Sequence, residues 1–316
     1  MGAYITRRAA SVVLVLFVVS ILTFLIFDAI PDGNPALRLA GRTATPAEIA
    51  AIDRTYGFDQ PIYVQYLRTM EQIFTGKIVS YTQQVNVLDQ LKTDLPVTLS
   101  LVVGGFVIWM VLGVLFGLVS GYRAGGVLDT VLSAVSFGGI SAPAFVVGYV
   151  MIYLLSFRLH LFPSSGYVAL SDPLSWADHL IMPWFSLAVP YVGVYAQVLR
   201  TSVAETRSED YVRTARAKGL SGRQVAVRYV LRASLMSIVA LSGLDLAAVL
   251  GGSAILTETV FNLPGIGNYA GQAIGALDEP PIIVITLFGA FAVVLFSAVA
   301  DILYAVLDPR IRTAAS

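Results

Sequence analysis

Cysteine is absent from this chain of 316 residues. Disulfides, thiolate nucleophiles and cysteine-ligated zinc are therefore excluded. Histidine is almost absent too, with only His160 and His179, so a multi-histidine metal site is impossible and no cofactor is expected. Charge is scarce: Asp, Glu, Lys and Arg make up 13% of the residues, where a soluble domain carries about a quarter. Most of the chain cannot face water. Acidic and basic residues balance at 20 each, which gives no case for a nucleic-acid partner.

Recognisable catalytic apparatus is also missing. The one Gly-Lys pair, Gly76-Lys77, has Glu71 where a phosphate-binding loop needs glycine and Ile78 where it needs Ser or Thr. No G-x-S-x-G elbow occurs. The chain is not expected to be an enzyme, and any ATP hydrolysis must reside in another subunit.

Apolar sequence fills the space. Hydrophobic residues make up 57% of the chain, and the mean hydropathy is +0.78. Six apolar runs, at 9–27, 96–119, 127–157, 180–199, 234–256 and 282–307, are each long enough to cross a hydrocarbon core of about 30 Å at 1.5 Å per residue. Arg7 and Arg8 precede the first. That run could be a signal core, but its length and the lack of a small-x-small site predict an uncleaved helix. In the second run Gly113, Gly117 and Gly121 share a four-residue spacing that permits close helix packing. Pro143 interrupts the third and predicts a kink.

Lys and Arg placement orients the spans. With an inner N-terminus, Arg7, Arg8, Arg123, the basic stretch 205–233, Arg310 and Arg312 all fall in the cytoplasm. The short outer loops then hold Arg158 alone, as the positive-inside rule asks. The region 31–95 is the one long polar stretch and is expected outside. In it Thr45-Pro46-Ala47-Glu48 forms a capping box, Gly57 ends that helix, and a second helix starts near Pro61. The resulting division is 1–30 (N-terminus and first span), 31–95 (outer helical segment), 96–308 (membrane core) and 309–316 (cytoplasmic tail).

The stretch 205–233 is polar and basic, yet well punctuated. Ser208 is expected to cap a short helix over 209–218, with Glu209 and Asp210 at its positive end and Arg216 and Lys218 at its negative end. Gly219 stops it, and Ser221 with Gln224 opens a second helix by a capping box. Tyr211, Val212, Ala215 and the stem of Arg216 are expected to share one docking face. Lipid head groups are a competing partner for so many cations.

Charges inside apolar runs are functional candidates by default. Asp245 either lines a polar path or holds helices together by hydrogen bonds. Glu258, at the end of its run, reads more readily as an interfacial residue or helix contact. Asp301 reads as structural, and Asp28 and Asp129 lie nearer the run ends.

The run from Asp210 to Leu220, DYVRTARAKGL, resembles the cytoplasmic loop of ABC importer permeases, most closely the B-type permease of oligopeptide, dipeptide and nickel importers. GFDQPIYVQYLR at 57–68, Ser141-Ala142-Pro143-Ala144-Phe145, LFPSSGY at 161–167, the run ETVFNLPGIG from Glu258 to Gly267, and Asp308-Pro309-Arg310-Ile311-Arg312 continue the likeness along nearly the whole chain. Departures occur at 31–35, where PDGNP stands for PGDP, and at 76–79, where GKIV stands for GDLG. In the general EAA-x3-G pattern Gly219 and Ala215 match, whereas Arg213 replaces the glutamate and Arg232 a later proline.

The resemblance implies an all-α, six-span fold of the type I importer permease (MetI-like) kind. It implies a multi-pass protein of a prokaryotic plasma membrane with both termini cytoplasmic. It further implies a pore built with a second, similar permease, two ATP-binding subunits, and an extracytoplasmic solute-binding protein that delivers short peptides. The coupling helix would comprise Asp210, Tyr211, Val212, Arg213, Ala215, Arg216, Lys218 and Gly219; Asp245 and Glu258 are the path candidates. Nickel complexes or other small solutes are alternative cargoes. An ion-coupled secondary transporter is the alternative from another class; it would need titratable residues near the midplane and would not need the capped basic loop.

Overall fold

The computed structural model describes residues 2–28, 35–41 and 44–307, and every described element of more than a bridge is helical. The helices in order are α1 (Gly2–Asp28), α2 (Pro35–Ala40), α3 (Pro46–Tyr56), α4 (Ile62–Phe74), α5 (Val87–Tyr122), α6 (Val127–Ser141), α7 (Ala144–Met151), α8 (Pro173–Thr206), α9 (Asp210–Ala217), α10 (Gly222–Val225), α11 (Arg232–Ala248), α12 (Ala254–Val260), α13 (Ile266–Ala276) and α14 (Glu279–Leu307). Wide π-helical turns continue α7 to Arg158, join α10 to α11, and join α11 to α12. Among the described residues five helical segments are long and apolar enough to span a membrane, and a sixth forms if α6 and α7 count together. Asp28, Asp301 and the Arg7 and Arg8 side chains, residues 31–34, and the ending 308–316 lie outside the described residues.

One expectation needs correcting. The run 127–157 is not a kinked helix: α6 and α7 meet at 101°. Pro143 sits at the break with φ −58° and ψ 136°, and Ala142 before it is extended. Proline forces its predecessor out of the helical region, so both residues leave the helix together. Two further hydrogen bonds lie at the break. Ser186 of α8 donates its hydroxyl to the Ala144 carbonyl at 2.7 Å, and the Ala142 N–H reaches the Gly139 carbonyl at 3.3 Å.

The chain folds as two compact units, Met1–Val97 with Pro264–Ala292, and Thr98–Leu263 with Val293–Ser316. In the first, α3 carries the expected box: the Glu48 N–H donates to Thr45 Oγ1, and Thr45 N–H to Glu48 Oε2 at 2.7 Å. The backbone bond first, and the Thr45 hydroxyl second, hold the exposed Glu48 carboxyl below its usual range. Gly57 closes α3 in the left-handed conformation, φ +80°. Ile78, Val87, Tyr269 and Val284 form a small core flanked by Ile73, Leu88, Leu91 and Ile285. Beside it Asp278, 2% exposed, clamps the short loop before α5. Its carboxylate accepts from Ser80 Oγ and Thr82 Oγ1, both at 2.5 Å, and from the N–H groups of Tyr81 and Thr82. Four donors on one buried carboxylate meet the requirement that a buried charge be fully hydrogen-bonded.

In the second unit α8 is the hub, with α6, α7, α11 and α12 all packed on it. Asp172 caps it and Pro173 begins it. The glycine ladder of α5 fits against the same helix. A Cβ on Gly113 would stand 2.6 Å from Tyr195 Cβ, one on Gly117 2.7 Å from Leu199 Cβ, and one on Gly121 2.8 Å from Val203 Cβ. Each four-residue step on α5 thus meets a four-residue step on α8, the close approach that the spacing predicts.

Candidate functional site

The polar stretch between α8 and α11 is built from its base outward. The base is pinned. Asp129, at the start of α6 and 3% exposed, accepts from Arg200 of α8 through Nε at 2.5 Å and Nη2 at 2.8 Å. It also accepts from Ser120 Oγ, the Gly125 N–H and Ser133 Oγ. Seven residues further along α8's course, Arg207 donates to the carbonyls of Gly121 and Tyr122, and its guanidinium lies 4.8 Å above the Tyr122 ring. These carbonyls end α5, so a cation there satisfies them and complements the helix dipole. On the return side Ser234 Oγ pairs with Thr206 Oγ1.

From this base α9 projects. It spans Asp210–Ala217, eight residues and about two turns, shorter than the three turns expected over 209–218. Ser208 does not cap it: its hydroxyl donates back to the Glu205 carbonyl at 2.7 Å, where it helps close α8. Glu209 takes the N-cap backbone position without a side-chain cap bond. A serine just past a helix end has carbonyls of that helix in reach and donates to one here, while the cap position of α9 falls one residue later, on Glu209. The dipole pattern is as read: Asp210 lies in the first turn and Arg216 in the last. Gly219 adopts φ +80°, its N–H bonds the Arg216 carbonyl at 2.9 Å, and Leu220 N–H returns to Ala215. Ser221 and Gln224 then form the second capping box.

Side-chain placement divides the eight residues singled out in this loop. Val212 is fully buried and Ala215 nearly so. They anchor α9 inside this chain, so the face expected to carry them toward a partner does not include them. The outer surface carries Asp210, Tyr211, Arg213, Arg216 and Lys218, all exposed. Arg213 and Asp210 stand 3.8 Å apart, with side chains 69% and 98% exposed, a pair too open to fix either residue. The site is therefore a rigidly based, buried-backed helix that offers one tyrosine and a row of cations.

The two path candidates differ. Glu258, at the end of α12, is fully buried and accepts from Thr98 Oγ1 of α5 at 2.7 Å. That hydrogen bond joins α12 to α5, in keeping with the helix-contact reading of Glu258. Asp245 on α11 is half-buried, beside Tyr191 and Tyr195 of α8. Sequence reasoning missed the Arg200 and Arg207 attachments and the Asp278 clamp, and left Asp129 as a run-end charge. Arg200 at the end of an apolar run was a usable signal; Asp278 had none, because its partners lie 196 to 198 residues away. The motifs at 161–167 and 258–267 do meet: the Gly166 N–H donates to the Phe261 carbonyl.

Comparison with known proteins agrees with this architecture. Residues 113–313 match the family described as binding-protein-dependent transport system inner membrane component, and residues 1–102 match its N-terminal counterpart. A probable peptide ABC transporter permease protein of Sinorhizobium fredii is 37% identical over 314 residues, covering 99% of this chain and 100% of the relative. The dipeptide transport system permease protein of Lactococcus lactis subsp. cremoris is 35% identical over 99% of this chain and 100% of its own length. The oligopeptide transport system permease protein of Bacillus subtilis is 31% identical with the same coverage. With its helical spans, its glycine-packed hub and matches over nearly its full length, the chain belongs to the family of binding-protein-dependent transport system inner membrane components.

Proposed function

We propose that this chain forms half of the translocation pore of an ATP-driven importer of short peptides, and that α9 is the helix on which an ATP-binding subunit docks. The observation that carries the docking role is the geometry of α9: Val212 and Ala215 are buried in its own chain, and its Tyr and Arg side chains are exposed. Such residues are the usual anchors of protein interfaces. The peptide cargo is supported by what the relatives are named for. The chain is a membrane permease component with no nucleotide motif of its own, so ATP hydrolysis falls to separate subunits. A second permease, forming a heterodimer, and an extracytoplasmic binding protein complete the assembly. An ion-coupled mechanism has no support from a family defined by binding-protein dependence.

Mechanistically, α9 would move with the subunit that grips it. The Asp129–Arg200 pair and Arg207 tie its base to α5, α6 and α8. A displacement would therefore pass to those helices as a rigid body, alternating access to the pore. Asp245, the half-buried carboxylate, would line the path.

Tyr211→Ala and Arg216→Ala test the docking. Each is expected to weaken binding of the ATP-binding subunits by about 2 kcal/mol, roughly thirtyfold, read by co-purification in mild detergent. Gly219→Val acts differently. A β-branched residue is strained at φ +80°, so substrate-stimulated ATPase activity in vesicles should fall while membrane insertion persists. Full subunit binding and full stimulation in all three variants would exclude the docking role.

The proposed orientation places both termini and 205–233 in the cytoplasm and 31–95 outside, with the membrane core at 96–308. The cysteine-free chain makes its test clean. Arg216→Cys should resist a membrane-impermeant maleimide in intact cells and react after permeabilisation. Labelling in intact cells would reverse the topology.

A further inference from the structure

Helix α4 has two apolar faces, and one of them is largely exposed among the described residues. Tyr66, Thr69 and Ile73 lie three and four residues apart on the inner face. Tyr66 meets Phe24 of α1 edge to face, ring centroids 5.4 Å apart, and its hydroxyl pairs with Ser20 Oγ at 2.8 Å. Ile73 packs on the core around Ile78 and Val87. About a quarter-turn away, at 3.6 residues per turn, Tyr63, Leu67, Met70 and Phe74 form a second stripe. Tyr63 and Leu67 are 66% and 62% exposed, and Phe74 is 87% exposed. Glu71 stands beyond that stripe, exposed.

The contact with α1 gives the depth of this stripe. The apolar window of α1 runs from Ala10 to Phe27. Ser20 therefore lies about two turns inside the C-terminal end of the window, ~10 Å along the axis. Tyr66 reaches it, so α4 sits beside the outer part of a membrane-spanning helix and not above it in water. A helix with an apolar stripe at that level lies in the head-group and acyl boundary, where such faces bury 5–10 Å deep in roughly this geometry. Around it α1 itself exposes Leu22, Leu25 and Ile26.

We infer that α4 is an interfacial membrane helix whose Tyr63–Leu67–Met70–Phe74 stripe is seated in lipid on the membrane face where α1 ends. Tyr63 has the amphipathic ring favoured at that boundary, and exposed Lys77 just past the helix can reach phosphate groups with its ammonium. Bound this way, α4 fixes the level of the whole segment between α1 and α5 against the bilayer. The inference does not depend on the cargo or on the docking role of α9.

The absence of cysteine supplies the test. Leu67→Cys, Phe74→Cys and, as the polar reference, Glu71→Cys are each nitroxide-labelled in the full transporter reconstituted in phosphatidylethanolamine–phosphatidylglycerol vesicles. Collisional accessibility to oxygen, which partitions into acyl chains, is compared with that to a water-soluble nickel chelate. Oxygen should dominate at 67 and 74, and the nickel chelate at 71. Nickel dominance at 67 and 74 would put the stripe in water. Protection from both reagents there would put it under a second protein. Either result overturns the inference.

Discussion

Asp129→Ala is expected to destabilise the second unit by about 3–5 kcal/mol, the range for breaking a buried ion pair by removing one partner. The Asp129 carboxylate is 3% exposed and collects Arg200 twice, Ser120, Ser133 and the Gly125 N–H. Its removal leaves the Arg200 guanidinium, only 33% exposed, without a counter-charge near the end of α8. It also leaves two hydroxyls and a turn N–H seeking partners. Unfolding in mixed micelles should show the loss directly, and yield in the membrane should fall with it. The control is the pair Asp129→Leu with Arg200→Met. Replacing both charges by apolar groups removes the orphan, so it should recover most of the stability. Recovery of stability without recovery of transport would mark the pair as the mechanical link between α9 and the spans. If Asp129→Ala alone matched the wild type in stability, the pin would have no structural role.

Gly117→Val should be nearly as severe, for a different reason. Its Cβ would stand 2.7 Å from both the Ala196 carbonyl oxygen and Leu199 Cβ, and 3.2 Å from the Arg200 N–H nitrogen. Two of these three atoms are backbone on α8, which cannot rotate away. The helices must separate along the ladder, loosening Gly113 and Gly121 as well. Overpacking of this kind costs about 1–3 kcal/mol and more when backbone must move. Gly138→Ala is the matched comparison. No atom lies within 4 Å of its would-be Cβ, and it sits exposed within α6, so it should be neutral or mildly stabilising through helix propensity. Thermal inactivation of the two variants in the same detergent decides between them. Equal effects would mean that α5 and α8 do not pack through the glycines.

These two sites also divide what was legible in the sequence from what was not. The places of the spans, and their number to within the broken α6–α7 pair, follow from composition, because a bilayer core demands about 20 apolar residues in a row. Both capping boxes, the Gly57 and Gly219 stops and the glycine ladder were readable, since each depends on atoms three or four residues apart or on a backbone angle that glycine alone adopts easily. Family membership was readable because its motifs are contiguous.

The tertiary structure decided the rest. Ser208 could accept from the first N–H groups of a following helix or donate back to α8, and only the actual end of α8 and start of α9 settled which. Tyr211, Val212, Ala215 and Arg216 share neighbouring positions on α9, yet helical periodicity does not say which way a face turns; packing buried Val212 and Ala215 and left the other two outside. Pro143 announced a distortion, whereas its size of 101° is a property of how α6 and α7 pack on α8, which no local pattern states. The Asp278 clamp and the Asp129–Arg200 pin join residues 198 and 71 positions apart. No local pattern encodes such pairs, since a buried carboxylate selects its donors by proximity in space and not by spacing along the chain.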